Sequence, residues 1–365
     1  MNSFIVCATR PMQNYASSVI EYLSKYLCFS NIKDQINGLD LLNTDCFANG
    51  EMEVSVNYSI RGKDVILFSS SARNEAGIGV EEAKIEMYHA IDALVRCQAK
   101  RVIVFEPFIS CSRSDRTTRR SSVGLWVHLK TLTSLGAKHI VTFQLHSDKS
   151  KTMLDPASYA IDDIPALTLL KKYLCDKYIK TAEKLEQEVR NNWAFCSVDA
   201  SGEKLARGFA NSFGSPLVVA HKQRDYSISN TVESINILSA EPVEGKSLWI
   251  VDDMIDTAGS VEKLIRVLAQ LNPKDINIIS VHALFSPPSV KKLQELSREG
   301  LLKQLIVTDT VSCSNYKNDL PGLEIVQSAE LASKIIKTII NNESMSKLLA
   351  PFNAGEYLAG GDKTT

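Results

Sequence analysis

The chain has 365 residues and a formal net charge of −1 at pH 7, and 44% of its residues are hydrophobic and 23% charged. This is the composition of a globular protein with enough length for two domains. The near-zero net charge provides no general basic field to attract nucleic acid. No apolar run approaches the roughly 18 residues that span a bilayer. We therefore expect neither a nucleic-acid nor a membrane partner.

The eight cysteines are scattered along the sequence, and none forms a C-x-x-C pair. A zinc or redox site is therefore not expected. The first residues lack the pattern of a secretory signal. Reduced thiols and the missing signal together predict a cytoplasmic protein.

Short β-branched runs alternate with amphipathic stretches, which predicts an α/β fold with mainly parallel sheets flanked by helices. The predicted strands, in chain order, are 4–8, 64–69, 101–106, 140–145, 194–198, 217–220, 247–251, 276–283 and 304–308. The predicted helices are 13–26, 80–99, 123–135, 165–178, 203–212, 260–271 and 329–340.

A weak internal duplication divides the chain. Segments 61–68 and 244–251 each contain a turn that enters an apolar strand, and each is followed by a loop, a helix, a basic turn and another strand. Two similar α/β halves explain this better than one irregular domain, although two unrelated halves with similar local patterns remain open on this observation alone. The predicted domains are 1–158 and 159–340, with a tail at 341–365.

The segment SLWIVDDMIDTAGS, residues 247–260, carries the most specific signal. An apolar strand leads into Asp252 and Asp253 at the carboxyl edge of a parallel sheet, where α/β folds bind ligands. Two adjacent carboxylates are costly to bury, but they can accept hydrogen bonds from sugar hydroxyls. The small residues 257–260 place backbone N–H groups at a helix start, which predicts a phosphate cradle.

This segment resembles the ribose 5-phosphate loop of the phosphoribosyltransferase fold, and DDMIDTAG is especially similar to the ribose-phosphate diphosphokinases (PRPP synthetases). In that family two related domains follow one another and the second carries this motif. The resemblance thus implies two tandem phosphoribosyltransferase-type domains, with a ribose 5-phosphate site at Asp252, Asp253, Asp256, Thr257, Ala258, Gly259 and Ser260.

Three segments of the first half resemble the family's ATP site. FANGE at 47–51 is similar to F-x-D-G-E, SRSDR at 112–116 to A-R-Q-D-R, and QLH at 144–146 to D-L-H. Taken alone, the first is a turn, the second a solvated basic loop and the third an ordinary surface histidine, although guanidinium groups suit polyphosphate. The resemblance implies ATP contacts from Phe47, Asn49, Glu51, Arg113, Ser114, Asp115, Arg116 and His146.

The remaining family features concern the metal and the catalytic groups. SVDASG at 197–202 is similar to the diphosphate loop S-P-D-x-G-G, which implies that Mg²⁺ is held near Asp199 and His146. A carboxylate suits this hard cation. HKQR at 221–224 is similar to the D-K-R-R start of a mobile catalytic loop. The resemblance therefore implies catalytic roles for Lys222 and Arg224.

Four positions depart from the family pattern. Asn49 stands in place of an aspartate, Ser114 in place of a glutamine and Gln144 in place of an aspartate, and the diphosphate loop reads SVDASG. These changes put the nucleotide preference in question. They also leave a second hypothesis, a catalytically weak paralogue that regulates active synthetase subunits.

The resemblance implies that diphosphate passes from ATP to the C1 hydroxyl of ribose 5-phosphate, giving AMP and 5-phosphoribosyl 1-diphosphate (PRPP). In the family the adenine is held from a neighbouring subunit. A homo-oligomer built on a dimer, and as large as a hexamer, is therefore expected.

Overall fold

The computed structural model describes residues 3–27, 36–74, 76–117, 120–224 and 233–361. The chain forms two compact units. The first contains residues 1–165, 310–312 and 327–349, and the second contains 166–309, 313–326 and 350–365. The predicted boundary between the two domains lies between residues 158 and 159. The helix Ala329–Asn341 comes after that boundary in the sequence, yet it belongs to the first unit.

The first unit is built on a five-stranded parallel sheet, with a separate antiparallel hairpin. The sheet strands, in spatial order, are β1 (Phe4–Ala8), β4 (Asp64–Phe68), β5 (Arg101–Phe105), β6 (Ala137–Phe143) and β7 (Ala160–Ile164), and the hairpin strands are β2 (Leu42–Cys46) and β3 (Met52–Val56). Every residue of β1 and β4 is buried, as expected for parallel strands covered on both faces.

The main helices in the described part of the first unit are Gln13–Leu27, Val80–Arg96, Gly124–Ser134 and Ala329–Asn341. Short 3₁₀ turns lie at Arg10–Met12 and Asp148–Met153. The helix Ala329–Asn341 lies against Gln13–Leu27, and the hydroxyl groups of Tyr15 and Ser328 are 2.7 Å apart. Its apolar residues are buried, which explains why it is assigned to this unit.

The second unit is built on a seven-stranded sheet in which only the pairing of its first strand is antiparallel. In spatial order its strands are β10 (Glu233–Ser239), β9 (Leu217–Arg224), β8 (Trp193–Ser197), β11 (Ser247–Ile255), β12 (Asp275–Ala283), β13 (Gln304–Thr308) and β14 (Leu323–Val326). Its main helices are Leu167–Leu174, Glu203–Phe213, Gly259–Ala269 and Ser289–Arg298, and shorter helical turns lie at Cys175–Ile179, Ala182–Lys184, Leu185–Val189 and Arg190–Asn192.

The end of the chain differs from the predicted loose tail. Residues 346–349 and 354–358 form the short helices Ser346–Leu349 and Ala354–Leu358. Within the second unit, Ser212 Oγ donates to the carbonyl of Phe352 at 2.8 Å, and Tyr357 donates to Asp176 at 3.1 Å. Side-chain hydrogen bonds therefore hold Phe352 and the helix Ala354–Leu358 to the second unit, whereas Ser346–Leu349 belongs to the first.

Both units are α/β with mainly parallel sheets, which confirms the predicted fold class. Among the described helices, none is long and apolar enough to cross a membrane.

Candidate active site

Strand β11 carries the two adjacent carboxylates inside the sheet. The prediction that this strand ends at residue 251 is wrong, because the ladder with β12 continues and pairs Asp252 with Ser280 and Met254 with His282. Asp253 is buried and Asp252 is half-buried. The ladder therefore fixes the main chain at Asp252 and at Met254, on either side of Asp253, which gives the carboxylates a rigid support.

The electrostatics of this pair are unfavourable in the unliganded protein. The N–H group of Asp253 donates to Asp252 Oδ1 at 2.9 Å. Burial, followed by the charge of Asp253, raises the pKa of Asp252 well above its ordinary value, and the charge of Asp199 adds to the effect. Like charges held together in this way are typical of functional sites, because a ligand can relieve them.

Asp199 lies at the same edge of the sheet, just beyond the end of β8. Its Oδ1 accepts hydrogen bonds from the N–H groups of Ser201 at 2.9 Å and Gly202 at 3.1 Å, directly before the helix Glu203–Phe213. Asp199 thus shapes the predicted diphosphate loop. We refer to Asp199, Asp252 and Asp253 as the acidic edge.

Two buried hydroxyl groups accompany the acidic edge: Ser197 begins the predicted SVDASG loop without having been named as a site residue, and Ser280 lies outside every predicted motif. Ser197 Oγ at the end of β8 and Ser280 Oγ on β12 have no hydrogen-bond partner in the described part of the chain. Both belong to strands next to β11. Buried hydroxyl groups normally find partners, so these two are further places for a polar ligand.

The predicted phosphate cradle has a strained backbone. Ala258 precedes the helix Gly259–Ala269 in the left-handed conformation, with φ of +56°, and its carbonyl accepts from the N–H of Glu262 at 2.9 Å. A buried non-glycine residue in this conformation costs free energy and is found mainly at functional turns. Thr257 and Ser260 are exposed beside the first N–H groups of the helix, which have no partner within it.

Lys292 is a second feature that the sequence analysis did not identify. A Cβ atom on Gly259 would lie 3.4 Å from Lys292 Nζ, which places this ammonium group next to the start of the cradle helix. Glu262 on the same helix holds it at 3.0 Å. Lys292 belongs to the helix Ser289–Arg298, which the sequence analysis did not predict. Only three positions of this helix are buried, so its hydrophobic pattern in the sequence is weak.

The basic segment at 221–224 is a strand rather than a loop. The ladder between β9 and β10 pairs Lys222 with Ile235 and Arg224 with Glu233. The prediction that the strand ends at residue 220 is therefore wrong. The side chains of Lys222 and Arg224 lie outside the described residues.

In the first unit, the loop with Arg113, Asp115 and Arg116 follows β5. Arg113 and Arg116 are exposed, and Asp115 is half-buried. Ser114 fixes the loop to the helix Gly124–Ser134, because its Oγ accepts from the N–H of Gly124 at 2.9 Å and its carbonyl from Leu125 at 3.1 Å. Ser114, which departs from the family pattern, therefore has a structural role that a short hydroxyl side chain performs well.

His146 is exposed beyond the end of β6, on the strand next to β5. Before it, Gln144 adopts a φ of +46°, and the N–H of Leu145 donates to Asp163 at 2.9 Å. The predicted strand 140–145 instead ends at Phe143. His146 and the 113–116 loop thus follow neighbouring parallel strands, so they lie at one edge of the sheet of the first unit.

Phe47, Asn49 and Glu51 form the tip of the β2–β3 hairpin. The N–H of Glu51 donates to Asn49 Oδ1 at 3.1 Å, and Gly50 has a φ of +89°. The Phe47 side chain is 51% exposed. The tip is therefore an ordered turn that presents an aromatic side chain outward.

Within the described residues, no group of three or more His, Cys, Asp or Glu side chains is arranged to hold a metal ion. Mg²⁺ commonly binds through one or two carboxylates, with substrate phosphates and waters completing its shell. Burial is the first cause of the raised pKa of Asp252 and the charge of Asp253 the second, and the acidic edge fits such a cation because a divalent charge would relieve that repulsion.

Known proteins share both halves of this arrangement. Residues 6–136 match the N-terminal domain of ribose phosphate pyrophosphokinase, and residues 170–307 match the phosphoribosyl transferase domain. Ribose-phosphate pyrophosphokinase 1, chloroplastic, from Arabidopsis thaliana is 31% identical over 85% of this chain and 72% of its own length. The ribose-phosphate pyrophosphokinase of Fusobacterium nucleatum is 28% identical over 83% of this chain and 88% of its own.

A solved structure agrees with these sequences. The crystal structure of phosphoribosylpyrophosphate synthetase from Mycobacterium smegmatis aligns with a TM-score of 0.75 and 25% identity, over 94% of this chain and all of that one. The chain belongs to the ribose-phosphate pyrophosphokinase family. This confirms the family and the two phosphoribosyltransferase-type domains that the sequence predicted.

Proposed function

We propose that this chain is an active ribose-phosphate diphosphokinase that transfers diphosphate from ATP to the C1 hydroxyl of ribose 5-phosphate. The proposal depends on one observation: the like-charged carboxylates of the acidic edge are followed directly along the chain by the strained phosphate cradle. A sugar phosphate offers hydroxyl groups to the carboxylates and a phosphate group to the cradle. The relatives described above are named as enzymes, which favours this function over the regulatory paralogue.

In the proposed reaction, the C1 oxygen of ribose 5-phosphate attacks the β-phosphorus of ATP. The bond between this phosphorus and the oxygen that bridges to the α-phosphorus breaks, AMP leaves with that oxygen, and the C1 hydroxyl proton passes to solvent. Catalysis of this kind depends on positioning and charge neutralisation more than on covalent help.

The residues of the second unit position the sugar phosphate. Asp252 and Asp253 accept hydrogen bonds from the ribose hydroxyls, and the cradle receives the 5-phosphate through Asp256, Thr257, Ala258, Gly259 and Ser260. The ammonium group of Lys292 supplies positive charge beside the cradle helix. Ionised Asp252 is favoured once hydroxyl donors or a cation are bound, because both stabilise the carboxylate.

ATP is proposed to bind the first unit through Arg113, Ser114, Asp115, Arg116 and His146. The two exposed guanidinium groups are suited to bidentate contact with the triphosphate. Lys222 and Arg224 are proposed to stabilise the charge that develops on the transferring group. His146 in the first unit and Asp199 in the second are the residues proposed as Mg²⁺ ligands, and the bound cation would neutralise the charge on ATP.

A homo-oligomer in the cytoplasm is proposed as the working form. The exposed Phe47 at the hairpin tip supports this, because an aromatic side chain in that position is suited to contact another subunit. Asn49 and Glu51 flank it and would meet the adenine of a neighbouring site. Sedimentation velocity of the purified protein, with Phe47→Ser as the comparison, measures the oligomer directly.

A coupled assay for AMP and PRPP tests the proposal. We expect both products to form only when ATP, ribose 5-phosphate and Mg²⁺ are all present, and we expect Asp252→Asn to abolish most of the activity. Lys274→Ala, an exposed lysine at the opposite end of the sheet, is the matched control. Folded protein that binds ATP yet makes no PRPP, at any phosphate level or with other divalent metals, would instead support the regulatory paralogue.

A further inference from the structure

A chain of buried polar side chains lies beneath the 110–116 loop of the first unit. Glu106, directly after β5, is fully buried. Its Oε2 lies 2.8 Å from His128 Nε2, and its Oε1 accepts a hydrogen bond from Ser71 Oγ. The other nitrogen of His128 lies 2.9 Å from the hydroxyl of Tyr88. We call Ser71, Tyr88, Glu106 and His128 the buried network.

One arrangement of protons satisfies every atom of this network. A carboxylate only accepts hydrogen bonds, so both His128 Nε2 and Ser71 Oγ donate to Glu106. His128 Nδ1 can then accept from the Tyr88 hydroxyl, 2.9 Å away. Each donor points along the chain toward Glu106, which offsets the cost of burying its charge.

The network ends on the loop itself. The N–H of Ser110 donates to Ser71 Oγ at 3.2 Å, so the hydroxyl that binds Glu106 also holds the first residue of the loop. Burial, with the charge of Glu106 as the next cause, raises the pKa of the Cys111 thiol to about 12. The carboxylate is therefore close enough to act on the loop electrostatically.

The same loop is held at its other side by the helix that carries His128. Ser114 binds the N–H groups of Gly124 and Leu125 at the start of that helix. His128 lies about one turn further along it. A movement of the helix would therefore shift the loop at Ser114 and, through the network, at Ser110.

None of the predicted site motifs contains Glu106 or His128, and the proposed chemistry uses neither residue. Burying a carboxylate and an imidazole costs more free energy than apolar packing, so such pairs contribute little to stability by themselves. The hydrogen bonds that connect Glu106 to the 110–116 loop through Ser71 provide a reason other than stability for burying these two side chains.

We propose that the buried network is a positioning device that sets the conformation of the 110–116 loop, and through it the affinity for the triphosphate of ATP. Ser71, Glu106 and His128 are positioning residues, because none of them is placed to contact substrate. This inference rests on the proposed function only in naming ATP as the ligand of the loop.

Two variants and one matched control test the proposal on the full-length protein. Ser71→Ala removes a single oxygen and disconnects Glu106 from Ser110. Glu106→Gln keeps the shape but places a donor where His128 or Ser71 also donates. His139→Gln is the control, because His139 Nε2 and Asp162 Oδ2 form a pair of the same length, 2.8 Å, elsewhere in the same sheet.

The first measurement is amide hydrogen exchange of the full-length protein without any ligand, followed in the proteolytic fragment that covers residues 108–117. We expect exchange about tenfold faster in both network variants, and unchanged in the control, because a lost buried hydrogen bond of this kind typically alters an equilibrium by about that factor. The second is steady-state kinetics. KM for ATP is expected to rise about tenfold, and KM for ribose 5-phosphate to stay within about twofold.

The two proposals fail in different ways. If the wild type makes no PRPP, the proposed function fails, and the network is then tested by loop exchange and by the Kd of Mg-ATP. Wild-type loop exchange and wild-type ATP constants in both Ser71→Ala and Glu106→Gln would overturn the network proposal. An equal effect of His139→Gln on the loop would also overturn it, because the loop would then respond to general destabilisation. If Glu106→Gln does not fold, Ser71→Ala decides alone.

Discussion

The buried and half-buried carboxylates of the two units have opposite environments. In the first unit, Glu86 is buried and accepts from the N–H of Arg10 at 2.8 Å and from its guanidinium at 2.9 Å. Glu106 is buried and accepts from His128 and Ser71. In the second unit, Asp252 has Asp253 and Asp199 as neighbours, and its pKa is raised by burial and by their charges.

This contrast separates carboxylates that organise the protein from carboxylates that await a ligand. Glu86 and Glu106 have donors supplied by the protein, so they stabilise the arrangement of loops and helices around them. The acidic edge keeps like charges together at a cost in stability, which a sugar hydroxyl or a cation relieves. The following predictions test this difference.

The largest expected effect is on kcat, and it concerns the two cationic side chains proposed to stabilise the transferring group. We expect Lys222→Ala and Arg224→Ala each to lower kcat by about 10²–10³, since loss of one preorganised transition-state donor has this effect. The affinity for ribose 5-phosphate should stay nearly constant, because a separate loop holds that substrate. Steady-state kinetics with equilibrium binding measures both.

Lys274→Ala serves as the control for a general loss of positive charge. If both variants change kcat by less than about twofold, Lys222 and Arg224 are solvated surface charges and have no catalytic role.

A smaller effect, on stability, should have opposite signs in the two units. Glu86→Gln and Glu106→Gln are expected to lower the free energy of unfolding by about 1–3 kcal/mol at pH 7, because each replaces one accepting oxygen with an amide N–H group that faces a donor. Asp252→Asn is expected to raise it by about 1 kcal/mol in the unliganded protein, a usual gain when a site is relieved of strain. Urea denaturation monitored by circular dichroism gives these values.

The stability of the folded protein should depend on pH through Asp252. Its folded-state pKa is raised, so its contribution to stability is complete below the ordinary pKa of about 3.9 and is lost as the pH rises through the raised value. The advantage of Asp252→Asn over the wild type should therefore grow with pH in that window. An advantage independent of pH would show that the carboxylate charge is not the cause.

The smallest expected effect is on the choice of nucleotide. Asn49 Oδ1 accepts from the N–H of Glu51, and an aspartate oxygen could accept in the same way. Asn49→Asp therefore changes mainly the other terminal atom of the side chain, Nδ2, from a donor to an accepting oxygen. We expect Asn49→Asp to prefer ATP over GTP several-fold more strongly than the wild type, since a mixed donor and acceptor discriminates weakly. Equal ratios of kcat/KM in the two proteins would assign the preference to other contacts.

Much of the fold could be predicted because its strands are short buried apolar runs. Strands 4–8 and 304–308 have the predicted bounds. The strands Leu42–Cys46 and Ala160–Ile164 were missed, because their residues are largely exposed or half-buried and polar. The β11 strand was predicted too short, since pairing with β12 holds Asp252 in the ladder despite its charge.

The site was predicted in its motifs but not in its supporting residues. The string from Asp252 to Ser260 is contiguous, so one segment reveals it. Lys292 and Ser280 lie on another helix and another strand, outside every predicted motif, so only the packing and the strand order identify them. The buried network is similarly scattered over four elements, from Ser71 to His128, which no local pattern connects.

Thermal unfolding of the wild type and Asp252→Asn, with and without saturating ribose 5-phosphate and Mg²⁺, tests the central claim most directly. Without ligand, the variant should be the more stable of the two, because a raised pKa makes the ionised carboxylate unfavourable in the folded protein. With ligand, the order should reverse, since binding at about 100 times Kd adds about 2.7 kcal/mol of stability to the wild type and little to the variant. An order that stays the same in both conditions would contradict the claim that the acidic edge is built for a sugar phosphate.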